Sequence, residues 1–261
     1  MNRVLIEPVL DMIPALFHPL FRETAVYDSS CSPDARVLSL ERDDGLYLKS
    51  APAGALETEA ALTGYYHILG LATEVLSFHR DERDWLLTRR VPGEDCTHIM
   101  HLSHPERLCD ILGQRLRMLH ELDFAGCPVP DRMEPYRSLA ERNYRTGNFD
   151  RSHFPDSFGY QSAEQAWEVI TREGHRLRTD TLIHGDFCLP NIMLDDWRFS
   201  AFIDLGNGGV GDRHIDLFWG LWSLAFNLKT DRYGARFLDA YGRDLVEQDK
   251  LRIVAAYEVF G

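Results

Sequence analysis

The order of apolar and polar positions divides the chain into a strand-rich first third and a mostly helical remainder. Residues 4–22 are apolar but carry Glu7, Pro8, Asp11, Pro14 and His18, so they read as a short helical lead-in broken by prolines. Residues 37–40 and 46–49 predict two strands, with Asp43-Asp44-Gly45 as the hairpin turn between them. Residues 55–69 predict a helix, with Leu56, Ala60, Leu62, Tyr66 and Leu69 available for its buried face. A second strand pair, 75–78 and 85–88, flanks the charged turn Arg80-Asp81-Glu82-Arg83, and Val91-Pro92-Gly93 then breaks the pattern.

Beyond that break the period becomes helical. Residues 105–121 place Leu108, Ile111, Leu112, Leu116 and Leu119 on one face, 124–135 are loop, and 136–146 and 162–178 are helices. Residues 181–204 hold short strands at 182–183, 192–194 and 199–203. Helices follow at 213–228, 231–242 and the C-terminus. Trp219, Trp222 and Phe226 fit a buried stripe on the first of these. The expected class is α+β, with lobes at 1–91 and 92–261.

Charge narrows the partners. The 261 residues hold 41 acids against 28 bases, for a formal charge of −13 and a pI of about 5.3. A nucleic-acid binder would present a basic surface, so no nucleic-acid partner is expected, and an acidic field attracts cations instead. No run of about 18 apolar residues occurs, so no membrane span is expected, and the N-terminus lacks the pattern of a signal peptide. Five cysteines, an odd number without a CxxC pair, read as reduced thiols in a cytoplasmic protein.

The candidate chemistry is concentrated in two short segments. His184-Gly185-Asp186 is followed by Asn191, and Asp204-Leu205-Gly206 comes thirteen residues after that asparagine. Phosphoryl transfer needs a carboxylate at the acceptor hydroxyl and hard oxygen ligands for the divalent metal that bridges the nucleotide phosphates. Asp186, Asn191 and Asp204 supply that set, in the logic of a protein-kinase catalytic loop with HGD and DLG in place of HRD and DFG. A cation for the phosphates is also required. Lys49 ends the second early strand and can supply it, with an orienting acid on the following helix, Glu59 or alternatively Glu57. His98, His101 and His104 lack an acid or cysteine at matching spacing for a metal site. The glycines at 206, 208, 209 and 211 lack the GxxxxGK[ST] pattern and read as a turn, and no GxSxG occurs.

The run IHGDFCLPNIMLDDWRFSAFIDLGNGGVGDRHID, from Ile183 to Asp216, resembles the aminoglycoside 3′-phosphotransferases. Weaker likeness extends over Cys31-Ser32-Pro33, Asp84-Trp85-Leu86-Leu87, Val91-Pro92-Gly93, Leu119-His120 and Cys127-Pro128. The resemblance implies a two-lobed protein-kinase-like fold, a small β-rich N-lobe and a larger helical C-lobe, with ATP and Mg2+ as cofactors. It implies Asp186 as the catalytic carboxylate, Asn191 and Asp204 as metal ligands, and Lys49 paired to Glu59 on the phosphates. Ser32 would lie over the phosphates, and Arg89 and Val91 would meet the adenine. His184 and Asp216 would brace the catalytic loop.

The acceptor implied is a cationic aminoglycoside, phosphorylated at its 3′-hydroxyl to confer resistance by a monomer or weak dimer. Asp156 and Glu258 are the candidate acceptor residues, beside the further acids Asp150, Glu164 and Glu168. The chain departs from the family at Tyr257, where an acid is usual, at Asn207, where arginine is usual, and at the basic hinge Arg89-Arg90. These departures keep open a kinase of the same fold acting on another amino sugar, an amino alcohol or a macrolide.

Overall fold

The computed structural model describes residues 3–31, 35–42, 45–149 and 159–261. The chain folds into two compact units, Met1–Asp95 with Ile192–Gly206, and Cys96–Asn191 with Asn207–Gly261.

The first unit is built on a six-stranded sheet. Its strands are β1 (Val4–Ile6), β2 (Val26–Asp28), β3 (Arg36–Leu40), β4 (Leu46–Pro52), β5 (Val75–Arg80) and β6 (Arg83–Arg89), in the order β1-β2-β3-β4-β6-β5 with antiparallel neighbours. Alternation decides the faces of β4: Leu46 and Leu48 are buried, and Lys49 turns to the opposite side, level with Leu86 of β6. The lead-in is not an α-helix. It is β1 followed by tight 3-10 turns at Leu10–Met12 and Ala15–Phe21, with Pro19 inside the second, where its ring bars a regular α-helix. Those turns lay Ile13, Phe17 and Phe21 against Val26, Leu38, Leu40, Leu48 and Trp85 as the core of the sheet.

Helix α1 (Glu57–Ile68) begins with no capping side chain of its own. Asp84 of β6 does that work: its Oδ2 accepts from the amides of Gly54 and Leu56, each at 2.9 Å, while Oδ1 accepts from Arg80 Nε at 2.6 Å. The Arg80 hydrogen bond, against the opposing pull of burial, holds the Asp84 carboxyl down to about 2. The start of α1, and with it the acids Glu57 and Glu59, is thereby fixed to the sheet.

β7 (Glu94–Asp95) pairs with β9 (Ile192–Asp195), which forms a hairpin with β10 (Arg198–Phe202). Phe202 also bridges Ala72, so this hairpin belongs to the first unit, although the sequence boundary at 91/92 places it in the second lobe. Gly93 permits the pairing: with φ +90, a Cβ there would meet the Leu194 carbonyl at 2.1 Å.

The second unit packs α2 (Ile99–Leu102), α3 (Pro105–His120), α4 (Met133–Thr146), α5 (Ala163–Glu173), α6 (His214–Leu228), α7 (Gly234–Tyr241) and α8 (Gln248–Glu258) around a two-stranded ribbon, β8 (Thr181–Ile183) with β11 (Gly209–Gly211). Met133, Tyr136, Ala140, Ala166, Ile170, Ile183, Ile215, Ile253 and Phe260 form its core. The glycine-rich stretch read as a turn includes β11. The helix expected over 162–178 stops at Glu173 and passes into a short 3-10 turn, Gly174–Arg176. The stripe on α6 is not buried: Trp219 and Trp222 are half-buried and Phe226 is 55% exposed. No described helix is long and apolar enough to cross a membrane.

Candidate active site

The first unit carries a charge trio. Lys49 Nζ donates to Glu59 Oε1 at 3.0 Å and Oε2 at 2.7 Å, and to Asp204 Oδ1 at 2.7 Å. Glu57, the alternative partner, instead accepts from Arg80 at 3.2 Å. Asp204 follows β10 with φ 59, a left-handed backbone that turns its side chain out of the strand path. Burial pulls the Lys49 ammonium down, but the charges of Glu59 and Asp204 outweigh it and hold the pKa above the ordinary lysine value. Burial raises Glu59 in turn, with the Lys49 charge working against it. Asp204 is the open member, its side chain 52% exposed against 10% for Glu59.

Arg89 ends β6. Its amide donates to the Glu74 carbonyl at 3.1 Å, its carbonyl accepts from Thr73 Oγ1 at 2.5 Å, and its guanidinium meets Glu74 Oε2 at 2.6 Å. Val91 lies just past the strand end. Ser32 and Asp156 lie outside the described residues, as does Asp150.

The second unit carries the catalytic-loop candidate. Asp186 Oδ2 accepts from Asn191 Nδ2 at 2.8 Å, and the same amide group reaches the Asp186 carbonyl at 3.0 Å. The Asp186 amide donates to His184 Nδ1 at 3.3 Å, so that ring serves the loop backbone. Asp216, fully buried near the start of α6, accepts from the amides of His184 at 2.8 Å and Gly185 at 2.7 Å. Its Oδ2 lies 3.1 Å from His120 Nε2, and Tyr241 Oη lies 2.9 Å from His120 Nδ1. Burial lowers His120, so the ring is neutral, with Nε2–H directed at the carboxylate and Nδ1 accepting from the tyrosine. Ser223, two turns further along α6, accepts from the Leu189 amide at 2.9 Å. Gly185 is required: at φ +81, a Cβ would meet the Asn207 carbonyl at 1.8 Å.

That carbonyl is itself clamped. Arg132, just before α4, donates Nε to Asn207 O and Nη2 to Asn207 Oδ1, both at 2.9 Å, and its amide donates to Val210 O at 2.8 Å. The sequence contains no local signal for this clamp, since it joins residues 75 apart.

Glu258 closes α8. Its Oε1 accepts from Tyr136 Oη at 2.7 Å, and Trp219 donates to it as well. Burial dominates and pushes its carboxyl up to about 7, aided by the charge of Asp186. The adjacent departure, Tyr257, is core: it packs against Tyr136 with ring centroids 4.9 Å apart. Glu164 and Glu168 lie on α5; Glu168 pairs with Arg172 at 3.1 Å. His98 caps α2 through its Nδ1, and among the described residues no three His, Cys, Asp or Glu side chains converge as a metal cluster.

The chain is similar to a group of known proteins over nearly its whole length. The sequence profile of the phosphotransferase enzyme family matches residues 28–253. A probable aminoglycoside 3′-phosphotransferase of Lactococcus lactis subsp. lactis (strain IL1403) is 44% identical over 253 residues, 97% of this chain and 96% of that protein. The aminoglycoside 3′-phosphotransferase of Niallia circulans is 29% identical over 177 residues, 68% and 67% of the two chains. The crystal structure of an aminoglycoside-3′-phosphotransferase of type VIII superposes with a TM-score of 0.80 at 25% identity, covering 97% of this chain and 99% of that one. A Streptomyces rimosus aminoglycoside phosphotransferase, solved with ADP and streptomycin, shares the fold at a TM-score of 0.68 and 22% identity, over 86% and 90% of the chains. With its profile match and this α+β, protein-kinase-like architecture, the chain belongs to the phosphotransferase enzyme family.

Proposed function

We propose that this phosphotransferase transfers the γ-phosphate of ATP to the 3′-hydroxyl of a cationic aminoglycoside. The observation that carries the reading is the Asp186–Asn191 pair on a loop locked by Asp216, in a chain 44% identical to a probable aminoglycoside 3′-phosphotransferase. Asp186 accepts the proton of the acceptor hydroxyl. Its Oδ2 is held by Asn191, so the carboxylate presents a fixed orientation to the incoming oxygen.

Lys49 holds the nucleotide phosphates. An ammonium has three protons to donate; Glu59 takes two contacts and Asp204 one, and the bond to the exposed Asp204 is the one a phosphate oxygen replaces. Asn191 and Asp204 fit a magnesium ion by donor chemistry. The Asn191 NH2 is committed to Asp186, which leaves the amide oxygen as the ligating atom, and Asp204 offers a half-exposed carboxylate. Both are the hard oxygens this cation takes. Magnesium, when bound, neutralises charge on the phosphates.

The adenine edge falls to Val91, because the Arg89 amide is already paired with the Glu74 carbonyl and the Arg89 carbonyl with the Thr73 hydroxyl. Ser32 remains the candidate over the phosphates and Asp156 an acceptor contact. Glu258 receives an acceptor ammonium, and the acidic chain draws such a cation in. The enzyme works in the cytoplasm, where ATP is at hand and its five thiols stay reduced.

The test is Mg2+–ATP turnover across kanamycin, neomycin, gentamicin and streptomycin, with mass spectrometry of the products. Phosphate on kanamycin and neomycin, and none on gentamicin, which lacks the 3′-hydroxyl, is the expected outcome. Protein that binds ATP yet phosphorylates none of the four contradicts the acceptor assignment.

A further inference from the structure

Helix α6 does two jobs on adjacent faces. One face carries Asp216 and Ser223, which hold the amides of His184, Gly185 and Leu189. The neighbouring face carries Trp219, Trp222 and Phe226, three and four residues apart and therefore one stripe. Trp219 and Trp222 meet edge to face, with centroids at 5.5 Å and an 79° angle. Trp222 and Phe226 stack at 5.1 Å and 7°. The ladder runs from the inside outward. Trp219 donates to Glu258, whose carboxyl feels the charge of Asp186, whereas Phe226 is 55% exposed.

Aromatic side chains are enriched at interfaces, and this series opens to water at Phe226. Two observations indicate what this one takes. Its inner end is continuous with Glu258, the acid assigned above to an acceptor ammonium. Its outer ring already holds a cation: Lys229 Nζ sits 4.1 Å from the Phe226 centroid. An ammonium over that ring is the contact an aminated ligand would make. Sugar rings also present C–H faces that pack on aromatic surfaces, so an amino sugar matches both features.

We infer that the Trp219–Trp222–Phe226 ladder is an acceptor subsite, and that an ammonium of a ring-bearing polyamine takes the place of Lys229 on Phe226. This inference rests on the cationic acceptor proposed above. It makes Lys229 a competitor of the ligand rather than a partner. Removal of Phe226 and removal of Lys229 then act with opposite sign.

The experiment is a double-mutant cycle on the full chain, Phe226→Ala, Lys229→Met and both together, with kanamycin binding read by titration calorimetry without nucleotide. Phe226 is exposed, so its truncation leaves the core intact, which thermal unfolding checks. Phe226→Ala weakens kanamycin binding by roughly 2- to 5-fold, and Lys229→Met tightens it by a similar factor, as expected of one exposed cation–ring contact. In the Phe226→Ala background the gain from Lys229→Met disappears. The acceptor KM follows these shifts while the KM for Mg–ATP stays fixed.

Unchanged affinity in Phe226→Ala overturns the inference. So does a Lys229→Met gain that persists without Phe226, which would be bulk charge alone. Concentration-dependent self-association abolished by Phe226→Ala, with kanamycin affinity unaltered, would assign the ladder to a second copy of the chain instead. A wild-type protein that binds kanamycin without phosphorylating it defeats the functional reading while the cycle still decides the ladder. A wild type that does not bind kanamycin defeats both.

Discussion

The two units hold their candidate functional carboxylates by opposite means. In the first, Lys49, Glu59 and Asp204 hold one another through side-chain charge, and the outermost member is half-exposed. In the second, the fully buried Asp216 fixes the loop through two backbone amides and a neutral imidazole. Side-chain ion pairs can exchange partners when a charged ligand arrives. Backbone amides bound to a buried carboxylate cannot do so without unfolding the loop. The difference teaches which unit is built to receive a changing charge and which to hold one group still.

The largest effect expected from this contrast is on turnover. Asp186→Ala lowers kcat by at least ~100-fold, the low end of a general-base contribution. The melting temperature stays near that of the parent chain, because Asp216 rather than Asp186 holds the loop. Steady-state kinetics and thermal unfolding on one preparation check both parts.

Asp216→Asn inverts that pattern. It replaces one carboxylate oxygen with an amide NH2 set against a donor that needs an acceptor. It loses roughly 1.5–3 kcal/mol of stability for each bond to the charged acceptor that is broken, at least one of the three. Denaturant titration reads the loss. A mutant as stable as the parent would mean that the second unit does not depend on this brace.

A smaller effect concerns pH. The carboxyl of Glu258 is pushed up from 4.5 to about 7 by burial. The folded state therefore takes this proton more readily than the unfolded chain does. Its contribution to stability is full below 4.5 and is lost as the pH rises to about 7. Acceptor binding runs the other way, because an ammonium needs the ionised form. The acceptor KM rises several-fold as the pH falls through about 7, and Glu258→Gln flattens that dependence. A KM profile that keeps the same midpoint in Glu258→Gln would assign the titration to another group.

Much of this contrast was legible in the residues. Strong alternation at 46–49 placed Lys49 on a strand, and spacing singled out Asp186, Asn191 and Asp204 as candidates, of which Asn191 bonds Asp186 and Asp204 bonds Lys49. Glu59 was the preferred partner over Glu57, and Lys49 donates to it; what the residues did not reveal is that Asp84 anchors the start of α1 from another strand. β2, β7 and β11, of two or three residues each, exist through their partners and carry no period of their own. The sequence FWGLWSLAF in α6 is apolar nearly all round, so periodicity could not separate its buried faces from the exposed ladder. Arg132 was missed because its clamp on Asn207 is a purely tertiary contact.

The most direct test of the division between the units is nucleotide affinity, measured side by side for Lys49→Ala and Asp186→Ala with Mg–ATP. The account predicts that Lys49→Ala binds the nucleotide at least several-fold more weakly, while Asp186→Ala binds it like the parent chain and fails only in transfer. Equal losses of affinity in the two variants, or a loss confined to Asp186→Ala, would contradict it.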